Sequence, residues 1–219
     1  MHAMILAAGK GTRLAPLTRR TPKPMLPLGG KPLIELQVAT LARAGATRIV
    51  INLHHLGEQI RQHLGDGDRF GVEICYSEEP ELLETGGGIA KALPLLGQDP
   101  FWLMNGDIWS DFNFSDLPTA PHAPHLAHLV LTPTPPERDR GDFEYHEGQV
   151  TARGTTFVYC GIAVLCAELF EGFDVSHFSL RDRYFDLIAS GRLGAQVHNG
   201  RWHDIGTVAQ YQTLATQLA

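Results

Sequence analysis

Short apolar runs alternate with helix-like segments along the first half of the chain. The apolar runs predict buried strands at 3–7, 48–53, 72–76 and 101–104. Apolar residues at helical spacing predict helices at 32–44, 56–64 and 89–93. Pro32 suits a first helical turn, Gly45 a C-terminal cap and Pro94 a helix end. Strands that alternate with helices imply an α/β fold whose parallel sheet is covered on both faces.

The second half of the chain is less regular. It predicts strands at 126–131, 157–165 and 194–198, a hairpin over 143–150, and helices at 167–170 and 181–189. Loops are predicted at 118–124 and 133–142. Thr207 is placed to cap a terminal helix that runs to Leu218. We expect residues 1–219 to form one domain, since this length suits a single α/β core.

Composition excludes several classes of function. The net charge of −6 argues against a general nucleic-acid or membrane-surface binder, because both need a positive field. No stretch approaches the roughly 18 apolar residues of a membrane span, and the first residues lack the zones of a signal peptide. Three cysteines without C-x-x-C spacing predict buried, reduced thiols. We therefore expect a cytoplasmic protein with small ligands.

The first strand stops at the run Gly9-Lys10-Gly11-Thr12-Arg13, which has the composition of a phosphate cradle. Glycines let backbone N–H groups approach a polyphosphate, while lysine and arginine supply positive charge. A dinucleotide fingerprint would need a third glycine where Leu14 stands. A P-loop would need lysine followed by serine or threonine after the last glycine, where Thr12-Arg13 stands. Neither standard motif fits.

A longer pattern resembles the signature of the sugar-1-phosphate nucleotidyltransferases. Its segments are Leu6-Ala7-Ala8-Gly9-Lys10-Gly11-Thr12-Arg13-Leu14, Pro16-Leu17-Thr18, Pro22-Lys23-Pro24-Met25, Asn105-Gly106-Asp107 and Trp202-His203-Asp204-Ile205-Gly206-Thr207. The resemblance implies a Rossmann-like three-layer α/β/α sandwich of the nucleotide-diphospho-sugar transferase type, with a mostly parallel sheet and a small sugar-binding β lobe. It also implies a nucleotide-binding half at 1–115 and a sugar-binding half at 116–219.

The resemblance also implies the site residues. Ala7, Ala8 and Gly9 meet the base and ribose, Gly11, Thr12 and Arg13 hold the β- and γ-phosphates, and Lys23 reaches the reacting phosphates. Glu84, Thr85, Gly86 and Asn105 complete the nucleotide site, and Gly141, Asp142, Tyr159 and Gly161 line the sugar site. Arg13 and Lys23 are the expected catalytic residues. Charge supports them independently, because a leaving pyrophosphate needs nearby cations.

Two aspartates are candidate metal ligands. Asp107 follows an apolar strand, and Asp204 follows the aromatic segment Trp202-His203. An aspartate at such a position is by itself more typical of a turn. Beside a triphosphate site, however, the two carboxylates favour Mg²⁺, which takes one or two protein carboxylates and completes its shell with phosphate oxygens and water.

Three features are most similar to the branch that uridylylates N-acetylmuramate or N-acetylglucosamine 1-phosphate. They are the short chain and the segments Leu83-Glu84-Thr85-Gly86-Gly87-Gly88-Ile89 and Arg140-Gly141-Asp142-Phe143. The implied substrates are UTP and N-acetylmuramate 1-phosphate, and the implied assembly is a monomer or small homo-oligomer. Guanylyl, thymidylyl and cytidylyl transfer to mannose or glucose 1-phosphate stay open. Outside this reaction, a dehydrogenase and a non-catalytic sugar-nucleotide sensor also stay open. The chain lacks the Glu-Lys-Pro element of longer relatives, so Lys23 alone is expected to grip the sugar phosphate.

Overall fold

The computed structural model describes residues 1–136 and 138–218, so Glu137, within the predicted loop 133–142, and Ala219 lie outside the described residues. The strands are β1 (His2–Leu6), β2 (Pro27–Leu28), β3 (Lys31–Pro32), β4 (Arg48–Leu53), β5 (Glu73–Glu78), β6 (Phe101–Asn105), β7 (Ile108–Ser110), β8 (Ala127–Pro133), β9 (Phe143–His146), β10 (Gln149–Arg153), β11 (Phe157–Leu165), β12 (Leu193–Val197) and β13 (Trp202–Asp204). The α-helices are α1 (Leu33–Arg43), α2 (Gly57–Leu64), α3 (Glu84–Leu96), α4 (Leu180–Ala189) and α5 (Val208–Gln217).

One nine-stranded sheet runs through the described chain in the order β5-β4-β1-β6-β11-β8-β12-β10-β9. Strands β5, β4, β1 and β6 pair in parallel, as the alternation of strands and helices predicts. Strand β11 is antiparallel to both of its neighbours, β6 and β8, and β10 is antiparallel to β12 and β9. The other strands run in one direction, so the predicted mostly parallel α/β fold is confirmed.

Alternate residues of the central strands enter two different cores. Ala3 and Ile5 of β1 point to the face covered by α1 and α2. Met4, between them, points to the opposite face, which α3 and α4 cover. A third apolar cluster joins Leu14 in the glycine loop to Leu214 of α5. A strand that is buried on both faces has no polar side. This burial explains why these strands appear in the sequence as apolar runs.

Helix α3 differs from its predicted bounds. It begins at Glu84, so the three glycines lie in its first turns, and it ends at Leu96 with Pro94 inside. The prediction that Pro94 ends the helix is wrong. Proline so near the C-terminus removes a single helical hydrogen bond, and the helix stops at Gly97, whose φ of 87° suits glycine.

Smaller predictions had mixed outcomes. Thr207 caps α5 by accepting a hydrogen bond from the Gln210 N–H, as expected. Residues 167–170 form a 3₁₀ turn rather than an α-helix. All three cysteines are free, but only Cys160 is fully buried, because Cys75 lies on the edge strand β5 and Cys166 comes just after the end of β11. No helix among the described residues is long and apolar enough to cross a membrane.

Candidate active site

The carboxyl ends of β1, β4 and β6 meet at one edge of the sheet. The glycine loop follows β1 directly, and it lines a cavity of about 460 Å³ together with the residues that follow β6. A cavity in this place is expected, because parallel α/β sheets bind ligands at the carboxyl ends of their strands. The structure therefore brings the glycine loop and the Asn105-Gly106-Asp107 turn together, as the sequence predicts.

The glycine loop is held in one shape by its own contacts. Gly11 has a φ of 60°, and its carbonyl oxygen accepts hydrogen bonds from Leu14 N–H at 2.9 Å and from Thr18 Oγ1 at 2.8 Å. A Cβ on Gly11 would lie 3.0 Å from Thr18 Cγ2 and 3.3 Å from Lys23 Cβ. Gly11 thus allows the loop to turn back against Lys23.

A buried polar network fixes the loop to the rest of the sheet. Ala7 N–H donates to Asn52 Oδ1 at 2.7 Å, and Asn52 Nδ2 donates to Glu79 Oε1, also at 2.7 Å. The second oxygen of Glu79 accepts the Leu83 N–H at 3.0 Å, although this carboxylate is only 2% exposed. Asn52 and Glu79 were not identified as site residues from the sequence. The available signal was a polar residue at the end of an apolar strand, the same pattern that marks Asn105.

A side chain of helix α1 holds the turn that carries Asp107. Gln37 is buried, and its Nε2 donates to the carbonyl oxygens of Asn105 and Ile108, both at 2.9 Å. Gly106 is required here, because a Cβ would lie 2.5 Å from the carbonyl oxygen of Leu6. Gln37 was also missed, and its signal was an amide on the apolar face of an amphipathic helix.

Lys23 and Asp107 form an ion pair, with Lys23 Nζ 2.8 Å from Asp107 Oδ2. The lysine is 8% exposed and its proline-rich loop packs beneath the glycine run. Buried lysines are rare without a partner, and Asp107 supplies that partner beside the cavity. Lys23 therefore presents a fixed positive charge where the loop and the β6 turn meet.

Asp204 lies next to Asp107 across a small second sheet of β7 and β13. Asp204 pairs in register with Ile108, and Ile205 N–H donates to the Asp107 carbonyl oxygen at 2.9 Å. Burial raises the pKa of Asp204, and the negative charge of Asp107 raises it further, against the lowering effect of Lys23, Arg138 and Arg13. Two carboxylates held this close repel each other unless a cation lies between them.

The pair of aspartates fits a hard divalent cation. Among the described residues no group of three or more acidic, histidine or cysteine side chains could enclose a metal ion. Two carboxylates at the rim of an open cavity are the donor set typical of Mg²⁺, which leaves the remaining positions to substrate phosphates and water.

Arg13 stands between two cavities and lines both of them. It lies in the 3₁₀ turn Thr12–Leu14, and its guanidinium fits against Gly206, where a Cβ would be 3.2 Å from Arg13 Nη1. Gly206 follows Asp204 by two residues. The end of β13 therefore places Asp204 in the site, and the glycine after it leaves space for the Arg13 guanidinium.

The start of α3 closes one end of the first cavity. Glu84 and Thr85 line it, and Thr85 Oγ1 also accepts the Leu180 N–H at 2.9 Å. Gly86 lines neither cavity: its N–H donates to the Phe178 carbonyl oxygen at 3.0 Å, and a Cβ would lie 2.3 Å from the Phe178 ring. Gly86 therefore supports the site by close packing.

A second cavity of about 760 Å³ continues from the first toward the far side of the sheet. Gly141, Asp142 and Tyr159, three of the four residues predicted for the sugar site, line it. Tyr159 meets Tyr184 through their hydroxyl groups at 3.3 Å, and burial raises the pKa of both, so both stay protonated. Gly161 lies outside the lining, where its φ of 75° lets the chain pass Asn105.

The second cavity also contains arginines that the sequence interpretation did not identify. They are Arg138, Arg140, Arg153 and Arg181. Only Arg140 stood in a motif that the resemblance singled out, and there it had no assigned role. That Lys23 alone grips the sugar phosphate stays a prediction, and Arg138, 4.0 Å from Asp204, is a further cation beside the two aspartates.

Comparisons with a family model and with known proteins agree on one family. A family model described as nucleotidyl transferase matches residues 2–145. The chain is 43% identical to an N-acetylmuramate alpha-1-phosphate uridylyltransferase of Neisseria meningitidis over 223 residues, which cover 96% of this chain and 95% of that protein. It is 29% identical to mannose-1-phosphate guanyltransferase beta-A of Xenopus laevis, over 97% of this chain but only 63% of that protein.

The fold is also shared with solved structures. A crystal structure assigned as a glucose-1-phosphate thymidylyltransferase of Bacillus anthracis superposes with a TM-score of 0.84 and 20% identity. The match covers 100% of this chain and 95% of that one. At this identity the likeness establishes the architecture of the whole chain, including the third of it beyond residue 145.

Proposed function

The chain belongs to the nucleotidyl transferase family, and on that premise we propose that it transfers a uridylyl group from UTP to N-acetylmuramate 1-phosphate and releases pyrophosphate. The observation that carries the proposal is the continuity of the two cavities. Arg13, Asn105 and Asp107 line both, so a triphosphate in one cavity and a sugar phosphate in the other would meet at these residues.

The reaction needs positioning and charge neutralisation more than proton transfer. An oxygen of the sugar phosphate attacks the α-phosphorus of UTP, and the bond from that phosphorus to pyrophosphate breaks in line with the attack. The nucleophile is already an anion, so no general base is required. Arg13 and Lys23 stabilise the charge that moves onto the departing pyrophosphate, and both are held in place before substrate binds.

Asp107 and Asp204 would hold a Mg²⁺ ion. When bound, Mg²⁺ neutralises phosphate charge and orients the reacting groups. Asp107 lies in the turn just before β7, and Asp204 is the last residue of β13. The pairing of β7 with β13 fixes the separation of the two aspartates. Lys23 contacts one oxygen of Asp107 and orients that carboxylate.

The nucleotide is assigned to the first cavity. We infer that the backbone of Ala7, Ala8 and Gly9 contacts the base and ribose, and that Gly11 and Thr12 contact the phosphates, since all of them line this cavity. The residues up to 115 then supply most of the nucleotide site, and those from 116 onward most of the sugar site. Gly141, Asp142 and Tyr159 lie at the sugar end.

The function is tested by a matrix of nucleoside triphosphates against sugar 1-phosphates, with pyrophosphate release as the measurement. We expect UTP with N-acetylmuramate 1-phosphate to give the highest kcat/KM. Preference for GTP with mannose 1-phosphate would instead favour the reaction named for the Xenopus relative. Binding of UDP-sugar without any turnover in the presence of Mg²⁺ would identify a sensor, and binding of a nicotinamide cofactor would revive the dehydrogenase interpretation.

Glu84 has an unusual backbone conformation for its position. Its φ is 61°, a left-handed value that costs a residue other than glycine about 1–2 kcal/mol. Its carboxylate is half-exposed, with His177 Nε2 at 3.9 Å, and the residue lines the nucleotide cavity. Strained residues that persist often have a functional role. We propose that the Glu84 carboxylate accepts hydrogen bonds from N–H or O–H groups of the nucleotide.

Glu84→Gly is therefore expected to raise the KM for UTP about tenfold, the effect of losing a hydrogen bond to a charged group, with a smaller change in kcat. Glu147→Gly is the matched control, because Glu147 also has a positive φ, 42°, but lies in the exposed β9–β10 turn. Both variants relieve left-handed strain, so thermal melting should respond similarly. Equal KM values for the two variants would contradict the role of Glu84.

A further inference from the structure

Three arginines of the second cavity have no acidic partner among the residues that the structure describes. Arg140, Arg153 and Arg181 line this cavity, and none of the carboxylates in the described part of the chain lies within ion-pair distance of them. Elsewhere arginines do find partners, as Arg192 does with Glu168 and Arg201 with Asp111. In a chain with a net charge of −6, this local excess of positive charge is unexpected.

The arrangement brings like charges together. The guanidinium of Arg153 lies over the Phe185 ring at 4.2 Å from its centroid, and that of Arg181 lies 5.9 Å from the same centroid. Stacking on one aromatic ring keeps the two cations near each other, although their charges repel. A bound anion would remove this repulsion, and guanidinium groups match the two oxygens of a carboxylate.

The acidic residues of the cavity do not balance these arginines. Asp142 Oδ2 accepts the Tyr159 N–H at 3.0 Å, which fixes the carboxylate in a structural contact. Asp107 is paired with Lys23, and Asp204 lies next to Arg138 at the other end of the cavity. The positive lining around Phe185 is therefore available to a ligand.

One phosphate does not account for this charge. Arg13, Lys23 and Arg138 already surround the aspartate pair, where the phosphates react. Arg153 of β10 and Arg181 of α4 instead share the ring of Phe185, and Arg140 lines the same cavity. A ligand that fills the cavity and satisfies both groups must carry two anionic groups, one at each end.

We propose that Arg140, Arg153 and Arg181 form a second anion subsite that binds a carboxylate carried by the sugar. The inference rests on the proposed function, and it assigns the residues that select the substrate class. N-acetylmuramate carries a lactyl ether with a carboxylate, and N-acetylglucosamine is the same sugar without it. The subsite therefore favours the acidic sugar phosphate over its neutral counterpart.

The test compares these two sugar phosphates in kinetics and in binding. For the wild-type protein, kcat/KM should be higher for N-acetylmuramate 1-phosphate. Arg153→Met and Arg181→Met, which keep an apolar side chain on Phe185, should lower it about 10- to 100-fold for this substrate, as expected for lost charge-assisted bonds. Turnover of N-acetylglucosamine 1-phosphate should change less than threefold. Arg183→Met is the control, because Arg183 is also on α4 but stacks on Phe173 outside the cavity.

Equal losses for both sugars, or no loss for either, would overturn the subsite. Calorimetric binding of the two sugar phosphates to the same variants, with UTP absent, provides a readout that does not depend on turnover. If the wild-type protein releases no pyrophosphate with any pair of substrates, the proposed function fails. The subsite would still be supported in that case by tighter binding of the acidic sugar that Arg153→Met and Arg181→Met abolish.

Discussion

Asp107→Asn and Asp204→Asn are each expected to lower the rate of pyrophosphate release by about 10³-fold or more, the range expected for losing electrostatic stabilisation at the reacting phosphates. Each substitution keeps the side-chain size and removes a charge that the metal requires. The two carboxylates repel each other, and burial raises the pKa of Asp204, so neutralising one of them relieves an unfavourable interaction. Thermal stability should therefore be unchanged or higher for Asp204→Asn, whereas Asp107→Asn also removes the partner of the buried Lys23 and should melt at a lower temperature.

The measurement has two parts. Pyrophosphate release reports activity, and Mn²⁺ binding followed by electron paramagnetic resonance reports the metal site without any substrate reaction. Asp99→Asn is the control, because Asp99 is exposed in the turn between α3 and β6 and should leave both readouts unchanged. Full activity of either site variant would remove the assignment of these aspartates as metal ligands.

Lys23→Met and Arg13→Met are expected to lower kcat about 10²- to 10³-fold, the loss typical of removing one preorganised donor to developing charge. Lys23 has an additional effect, because its removal leaves Asp107 without its partner at 2.8 Å. We therefore expect Lys23→Met to weaken turnover and also the orientation of the Asp107 carboxylate toward the metal. Arg13→Met should affect turnover with little change in Mn²⁺ binding.

Arg20→Met is the matched control for these two variants. Arg20 lies in the same loop and is exposed, but it lines neither cavity. Arg13→Lys should recover only part of the activity, because lysine lacks the forked donors of a guanidinium. If Arg13→Met and Arg20→Met had the same kcat, charge stabilisation by Arg13 would be excluded.

The central strands and their order in the chain could be predicted because their signal is local. Arg48–Leu53 matches its predicted bounds, and β1 ends within one residue of the expected position. Apart from His2, Arg48 and Asn52, these two runs are apolar, as expected for strands buried on both faces. Helix α3 was predicted too short because glycine and proline disfavour isolated helices, while packing against 176–178 stabilises this one.

The candidate site was predictable only in part, because some of its residues are brought together only by contacts between distant parts of the chain. The glycine loop and its lysine form an extended motif, so their roles could be proposed from the resemblance. Asn52 and Glu79 act through a buried network whose members are 27 residues apart, and the sequence offers no pattern for such a pair. Arg153 and Arg181 are ordinary charged residues in the sequence, and only their shared position on Phe185 distinguishes them.

The sequence by itself determined the alternation of strands and helices, the glycine loop after β1 and the two aspartates near strand ends. Each of these depends on burial periodicity or on a contiguous run of residues, which local chemistry expresses directly. The tertiary structure decided which distant groups meet: Lys23 with Asp107 across 84 residues, Asp107 with Asp204, and the arginines around one aromatic ring. Those contacts depend on the order and direction of strands in the sheet, and many strand arrangements are compatible with the same local pattern.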